Sequence, residues 1–138
     1  IGGGNAGSTS GSTMSTFNGT SWSSGVATVN VNRKYAGGAG GTSNAISCGG
    51  RTTGQKDTTS VYNGSWSAGA TMLNEVATPP TAATVDVSDS MMVCGGTDPS
   101  DESRLDAVQE LVDDTFVLSN GQLPAARSLS GCAGASGS

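Results

Sequence analysis

Large apolar side chains are sparse along this chain, and they return at a regular interval. Phe17 and Trp22 enclose the segment NGTS. Tyr62 and Trp66 enclose the segment NGS, beginning 45 positions after Phe17. Asn-Gly between β-forming residues is the strongest short-range signal for a hairpin, in which both turn residues take positive φ. The pattern predicts two antiparallel hairpins with one aromatic residue on each strand.

A short apolar run that ends in two glycines is the second repeated feature. The run AISC precedes Gly49 and Gly50, and the run MMVC precedes Gly95 and Gly96, which is a spacing of 46 residues. The opening IGGG holds another glycine pair at the same interval. These runs predict buried strands, and the glycines predict a point where the chain turns or another backbone comes close. The segments YAGGAGG and TAATVDV predict a further strand of small residues.

Aligning these features gives a unit that is built three times, over about 1–48, 49–94 and 95–138. Two columns of large side chains are shared by the units: Phe17, Tyr62 and Leu111 in the first, and Trp22, Trp66 and Phe116 in the second. An arginine column holds Arg33 and Arg127, with Pro79 in the second unit. Four short strands per unit predict three four-stranded antiparallel sheets, which must stack to bury their faces. We expect the residues of the second column to be largely buried.

Composition supports an all-β fold. The chain has 138 residues, 22 of them glycine, and only 12% are charged. Gly, Ser, Thr and Asn are poor helix formers, because they cost backbone entropy or compete for backbone hydrogen bonds. Six Lys and Arg residues in a chain of net charge −5 argue against nucleic acid as a partner. No apolar run approaches the roughly 20 residues of a membrane span, so no membrane insertion is expected.

The repeat resembles a known family. An apolar strand ending in Gly-Gly, then an aromatic residue, a Trp and an Arg before the next strand, is similar to the kelch repeat. That resemblance implies the blades of a β-propeller. Three blades are fewer than the four to eight that close a propeller, so the chain is expected to be part of a larger propeller or assembly. Segments such as FNGTSWSSG and RKYAGGAGGTSNA also resemble kelch-like repeats of bacteriophage structural proteins. The second unit departs at Pro79, and the third lacks the Asn-Gly turn and the Trp.

The residue inventory excludes several kinds of chemistry. The chain contains no histidine. The copper oxidases among kelch-type propellers need histidine as a copper ligand, and Ser-His and Cys-His nucleophiles need it as the general base. We therefore expect no catalytic site, no cofactor and no enzyme activity from these residues. Cys48 and Cys94 each precede a glycine pair, and a small buried apolar role is favoured for them over a redox or disulfide role.

The acidic segment TDPSDESRLDAVQELVDD holds seven of the eleven acidic residues. One hypothesis is a calcium site with Asp98, Asp101 and Glu102 as oxygen ligands. A solvated loop is favoured, because the ordered spacing of a calcium loop is lacking. Apolar residues at helical spacing from Leu105 would also fit an amphipathic helix. The repeat register instead predicts a strand over 108–112, and we favour the strand.

Two functions are consistent with these features. The favoured one is a non-enzymatic structural or interaction protein of a phage particle, in the tail, a fibre or the capsid surface. Its partners would be other copies of itself or other virion proteins. The alternative is an extracellular propeller module that binds a carbohydrate or a protein, such as a host-surface glycan. The two differ in where the aromatics point: a binding module exposes Trp22, Trp66 or Tyr35 around one concave site, whereas a structural repeat buries them.

Overall fold

The structure, a computed structural model, describes residues 2–6, 9–41, 43–51, 57–77, 81–84, 91–98 and 100–128. These residues form β-strands and no helix, so none of them lies in a helix that could span a membrane. The strands are β1 (Gly2–Ala6), β2 (Thr9–Phe17), β3 (Trp22–Arg33), β4 (Gly37–Gly40), β5 (Ala45–Cys48), β6 (Thr59–Tyr62), β7 (Trp66–Ala68), β8 (Thr81–Thr84), β9 (Met91–Thr97), β10 (Arg104–Val112) and β11 (Thr115–Leu118). The predicted all-β class is confirmed.

The strands form three antiparallel sheets in which neighbours in sequence are neighbours in space. The first sheet is β1-β2-β3, the second is β4-β5-β6-β7, and the third is β8-β9-β10-β11. Within the described residues the first sheet has three strands where four were predicted, and the sheets do not close into a ring. β10 covers the acidic segment from Arg104, so the strand interpretation is confirmed there and the helical alternative is wrong.

The last hairpin of each sheet has the same construction. Its final two strands join through a short loop, and the two residues that flank the loop are direct cross-strand partners. The flanking pairs are Phe17 with Trp22 in the first sheet and Tyr62 with Trp66 in the second. In the third sheet Val112 and Thr115 flank the turn, and the large pair, Leu111 with Phe116, is the next one along the ladder. Paired residues on antiparallel strands lie on one face of the sheet. Each sheet therefore places its pair of large side chains together at one end of one face.

The turns of these hairpins differ from the sequence-based expectation. Gly19 and Gly64 have positive φ, at 97° and 105°, but the asparagines before them do not. Their loops have four and three residues, so one left-handed residue is sufficient. The two-residue turn with positive φ at both positions occurs in the third sheet, at Asp113 and Asp114, with φ of 48° and 57°. The Asn-Gly signal thus located the hairpins correctly and their turn type wrongly.

Both glycines of the pairs at 49–50 and 95–96 take positive φ, from 59° at Gly49 to 109° at Gly96, whereas the opening glycines lie inside β1. A second backbone also passes close by. A Cβ atom on Gly50 would lie 2.7 Å from the carbonyl oxygen of Lys34, and one on Gly95 would lie 2.7 Å from that of Arg127. Such separations are far inside van der Waals contact, so these two positions require glycine. The predicted turn and the predicted close approach are both present.

The second glycine of each pair holds the segment that leaves the same sheet. The amide of Gly50 donates to the carbonyl of Val76 at 2.9 Å, and that of Gly96 donates to the carbonyl of Arg127 at 2.8 Å. Val76, and not Pro79, therefore occupies the arginine position of the second unit. The alignment was wrong because the segment between this position and the next glycine pair is three residues longer than in the first unit. Pro79 itself lies outside the described residues.

The residue after each exit position crosses to the next sheet. Lys34 and Arg51 exchange two backbone hydrogen bonds, at 3.0 and 2.7 Å, which join the first sheet to the second. The amide of Ala77 donates to the carbonyl of Thr97 at 2.8 Å, which joins the second sheet to the third. Arg51 and Thr97 each directly follow a glycine pair. The same backbone connection is therefore used at both junctions.

A hydrophobic core lies between the second and third sheets. β4 lies against β8 at this junction. The buried cluster contains residues from both sheets and from the segment that follows β7: Ile46, Cys48, Met72, Val76, Met91, Val93, Leu111 and Phe116. Cys94 is also buried. The two cysteines before the glycine pairs are thus interior residues.

The column of Trp22, Trp66 and Phe116 is not evenly buried: the expected burial is confirmed at Phe116 and is wrong at Trp22. Phe116 is only 2% exposed, Trp66 is half-buried, and Trp22 is 57% exposed. The reason lies in which sheet covers each face. Phe116 faces the second sheet across the core, and Trp66 lines a cleft that also includes Met14 of the first sheet. Trp22 lies on the first sheet, on a face that no other described sheet covers.

This difference predicts unequal costs for truncation. Phe116→Ala should lower the free energy of unfolding by about 3–5 kcal/mol, because it leaves a cavity in the core. Trp22→Ala should cost about 1 kcal/mol, which is mainly its ring contact with Phe17. Urea denaturation of the two variants and the parent chain measures both values. Equal losses would mean that the two positions are equally buried, contrary to the structure.

Candidate functional site

The junction between the first and second sheets is organised around Arg33, the last residue of β3. Its side chain is 1% exposed although it carries a guanidinium. One terminal nitrogen donates to the carbonyl oxygens of Gly49, at 3.0 Å, and Thr58, at 2.8 Å. The other donates to the hydroxyl of Ser60 at 3.1 Å and more weakly to that of Thr58 at 3.4 Å. One side chain of the first sheet thus binds the glycine turn and β6 of the second.

Every one of these acceptors is neutral, which sets the electrostatics of the junction. Burial lowers the pKa of Arg33, because desolvation disfavours the charged guanidinium, and the neighbouring Cys48 acts in the opposite direction. The Nε of Arg33 is buried with no hydrogen-bond partner. A charge buried without a carboxylate beside it is unusual and depends on its hydrogen bonds. The arrangement holds two sheets together through neutral acceptors.

Burial also controls the thiol of Cys48. It raises the pKa of this thiol to about 12, and the positive charge of Arg33 partly offsets the rise. The thiolate is the reactive form of cysteine, and it is nearly absent at neutral pH when the pKa is so high. Cys48 is therefore an inert packing residue in the folded chain, in keeping with the small apolar role expected from its position.

Between Met14 of the first sheet and Trp66 of the second lies a cleft of about 380 Å³. Trp66 and Met14 contribute its large side chains, and the backbone of β4 and its flanking residues forms much of the remaining wall. The glycines of β4 have no side chains to fill the space, so the two sheets meet here without a continuous core. Tyr62 stacks on Trp66 with ring centroids 5.4 Å apart and the planes tilted by 45°. The cleft is thus lined by one member of an aromatic pair.

The hairpin tip of the first sheet presents a second aromatic pair. The rings of Phe17 and Trp22 lie 5.1 Å apart at an angle of 36°. Both are about half exposed, at 47% and 57%. Asn18 stabilises the tip, because its side-chain oxygen accepts hydrogen bonds from the amides of Thr20 and Ser21, both at 2.9 Å. Tyr35 is exposed as well, with a φ of 56°, at the start of the connection to β4.

At the second junction a different side chain crosses between sheets. Gln109 of β10 is 2% exposed, and its side-chain oxygen accepts from the amides of Leu73, at 2.7 Å, and Asn74, at 3.1 Å. Gln109 and Ser60 occupy the same position in their units, since each lies two residues before the first member of the large pair. At the first junction the long side chain comes from the earlier sheet, and at the second it comes from the later one.

Two of the three carboxylates of the calcium hypothesis accept hydrogen bonds from backbone amides within their own loop. Asp98 accepts from the amide of Ser100 at 2.7 Å, and Asp101 accepts from that of Ser103 at 2.9 Å. Glu102 forms an ion pair of 2.6 Å with Arg51 of the second unit. In the part of the chain that the structure describes, no three Asp, Glu, Cys or His residues lie together as metal ligands. This arrangement matches a solvated loop, with one carboxylate extended towards the neighbouring unit.

Sequence reasoning found the hairpins, the glycine pairs and the arginine column, but not the role of Arg33 or Gln109. A signal was present for Arg33, because it ends the alternating segment VNVN and directly precedes the connection to the next unit. For Gln109 no signal was available, since its partners are backbone amides. No protein-family model matches this chain, and no curated protein is significantly similar to it.

The arginine network predicts a large cost for losing its donors. Arg33→Met keeps a long apolar stem but leaves buried acceptors unpaired, which should lower the free energy of unfolding by about 3–5 kcal/mol. The stability of Arg33→Lys should lie between that of the parent and that of Arg33→Met, because one ammonium cannot reproduce the guanidinium fork. Urea denaturation measures each. Arg104→Ala, at an exposed arginine, is the control and should change stability by less than about 0.5 kcal/mol. A fully stable Arg33→Met would contradict the role given to the network.

Cys48 predicts a specific loss of stability in alkali. Its pKa is higher in the folded chain than the ordinary value of 9.0. Stability from this group is complete below pH 9 and falls as the pH rises towards 12, because only the unfolded chain ionises easily. Between pH 8 and 10.5 the parent should lose about 2 kcal/mol more than Cys48→Ala does. Urea denaturation of both chains at the two pH values tests this, and parallel losses would refute it.

Proposed function

We propose that this chain is a non-enzymatic structural or interaction protein, and that it is a component of a phage particle, in the tail, a fibre or the capsid surface. Its three sheets are kelch-type blades, and the chain forms part of a larger propeller or assembly. The observation that carries the proposal is the repeated junction. Lys34 with Arg51, and Ala77 with Thr97, make the same backbone connection at two successive sheets.

A repeated junction favours an architectural role. Each sheet of four short strands has two faces and cannot bury either alone, so stability comes from stacking on a neighbour. Among the described residues, buried side chains lie between sheets at Arg33 in the first junction and around Phe116 in the second. The low charge and the many small residues suit close packing against further units. The resemblance of the repeats to phage structural proteins then favours a particle over other assemblies.

A second function is favoured by one observation. Phe17 and Trp22 form an exposed stacked pair, and Trp66 lines an open cleft beside the small residues of β4. Exposed aromatic rings next to polar side chains are suited to stacking against sugar rings. The exposure of Trp22 and Tyr35 is what the binding hypothesis expects. The second candidate is therefore an extracellular module that binds a glycan or a protein on a host surface.

Two experiments distinguish the proposals. The first asks whether the chain is present in phage particles, and the second asks whether its tryptophans are needed for glycan binding. Mass spectrometry of density-gradient-purified phage particles should detect the chain at a fixed ratio to the major capsid protein, and antibody labelling should locate it on the particle. Recovery solely as a soluble protein, in no particle fraction, would refute the virion proposal. For the alternative, a glycan array should show binding that both Trp22→Ala and Trp66→Ala abolish. Leu73→Ala, at an exposed residue away from both aromatic pairs, is the control.

A further inference from the structure

We propose that a second copy of this chain docks on the exposed aromatic face of the first sheet, and that it does so with its own third sheet. The copies then stack head to tail, each junction between copies repeating the junction between the first and second sheets. This inference rests on the proposed structural role, and it specifies the partner. Two independent observations lead to it, one from burial and one from the chemistry of the junctions.

The first observation is the coverage of the large pairs. In the second and third units the face that carries the pair is covered by the preceding sheet: Trp66 meets a cleft shared with Met14, and Phe116 lies in a core shared with Ile46. In the first unit the same face carries Phe17 and Trp22, which remain about half exposed. By continuity with the two junctions inside the chain, the missing cover is another sheet of this kind.

The other end of the stack offers an apolar surface. Successive residues of a strand point to opposite faces. Val117 follows Phe116 and Val112 follows Leu111, so both valines lie on the face of the third sheet that points away from the core. They are exposed, at 41% and 43%. The exposed large apolar residues of the chain are thus partly collected on its two end faces.

The second observation is the arginine. Arg33 and Arg127 occupy one position, since Arg33 pairs with Gly11 opposite Gly4, and Arg127 pairs with Leu105 opposite Gly96. Arg33 reaches into the next sheet and is buried there, whereas Arg127 ends the last described sheet and is exposed. The inserting side of the first junction is therefore present again at the far end of the chain.

The receiving side is present again at the near end. Arg33 binds Thr58 and Ser60, which lie four and two residues before Tyr62. Two residues before Phe17 the chain has Ser15, at the position that Ser60 holds before Tyr62. Cross-strand pairing supports the match, because Ser60 pairs with Ala68 and Ser15 with Ser24, each two residues into the last strand.

The junction between the second and third sheets carries different residues at the same two positions. There Val76 holds the inserting position, and Gln109 holds the receiving position that is serine in the other two units. An inserting arginine thus faces a receiving serine at the first junction, and an inserting valine is accompanied by a receiving glutamine at the second. The two ends of the chain carry Arg127 and Ser15, which is the first of these combinations. A contact of one end with the other between copies is heterologous, and it extends into a ring or a filament.

Sedimentation velocity of the 138-residue chain tests the proposal with two variants. The parent should associate as its concentration rises. Trp22→Asp disables the first-sheet end, Arg127→Glu disables the third-sheet end, and each alone should associate at least about tenfold more weakly, as expected for the loss of a central contact. An equal mixture of the two should form dimers and nothing larger, because each variant retains the end that the other lacks. Leu73→Asp, at an exposed residue on neither end, should associate as the parent does.

Three results would overturn the proposal: a parent that stays monomeric at all concentrations, single variants that associate as well as the parent, or a mixture that remains monomeric. Circular dichroism and thermal unfolding first establish that each variant is folded, and Trp22→Ser and Arg127→Ala replace any that is not. Detection of the chain in phage particles is a separate result. A monomeric chain found in particles would refute the stacking and leave the structural role intact, whereas a self-associating chain absent from particles would do the opposite.

Discussion

One backbone hydrogen bond determines how the sheets follow one another. The second glycine of the pairs at 49–50 and 95–96 donates it to the segment that leaves the same sheet. Gly50 holds Val76, and Gly96 holds Arg127. Once the exit segment is fixed there, the next residue is placed to pair with the following sheet, as Ala77 does with Thr97. A side chain at Gly50 would collide with the backbone of Lys34. The path of the chain from one sheet to the next therefore requires glycine at Gly50 and at Gly95.

Within this common backbone the two junctions are stabilised by different means. The first relies on the buried guanidinium of Arg33, held by neutral acceptors beside a partly open cleft. The second relies on close apolar packing around Phe116, with Gln109 as its polar crossing. Polar pairing at the first junction is directional and fixes the relative position of the sheets, whereas apolar packing at the second supplies more of the stability.

The repeat allowed the local backbone to be predicted, because hairpins and glycine turns depend on residues close together in sequence. Phe17 and Trp22 were correctly placed across a hairpin, and residues 108–112 were correctly assigned to a strand. Burial was not predictable in the same way. Whether Trp22 or Phe116 is covered depends on the sheet that stacks against it, and that sheet comes from a distant part of the sequence. The shift from Pro79 to Val76 has a similar origin, since a change of loop length between sheets leaves no local mark.

The contrast between the two junctions has a mechanical consequence. A pulling force on the ends of the chain acts on the first sheet through β1 and on the third sheet through its last strand. The dry core that joins the second and third sheets must be exposed to water all at once, so it resists as one block. The first junction can yield in steps, because water already has access to the cleft beside Trp66. The chain is thus a compliant segment joined to a stiff one, and the boundary between them lies at Arg33.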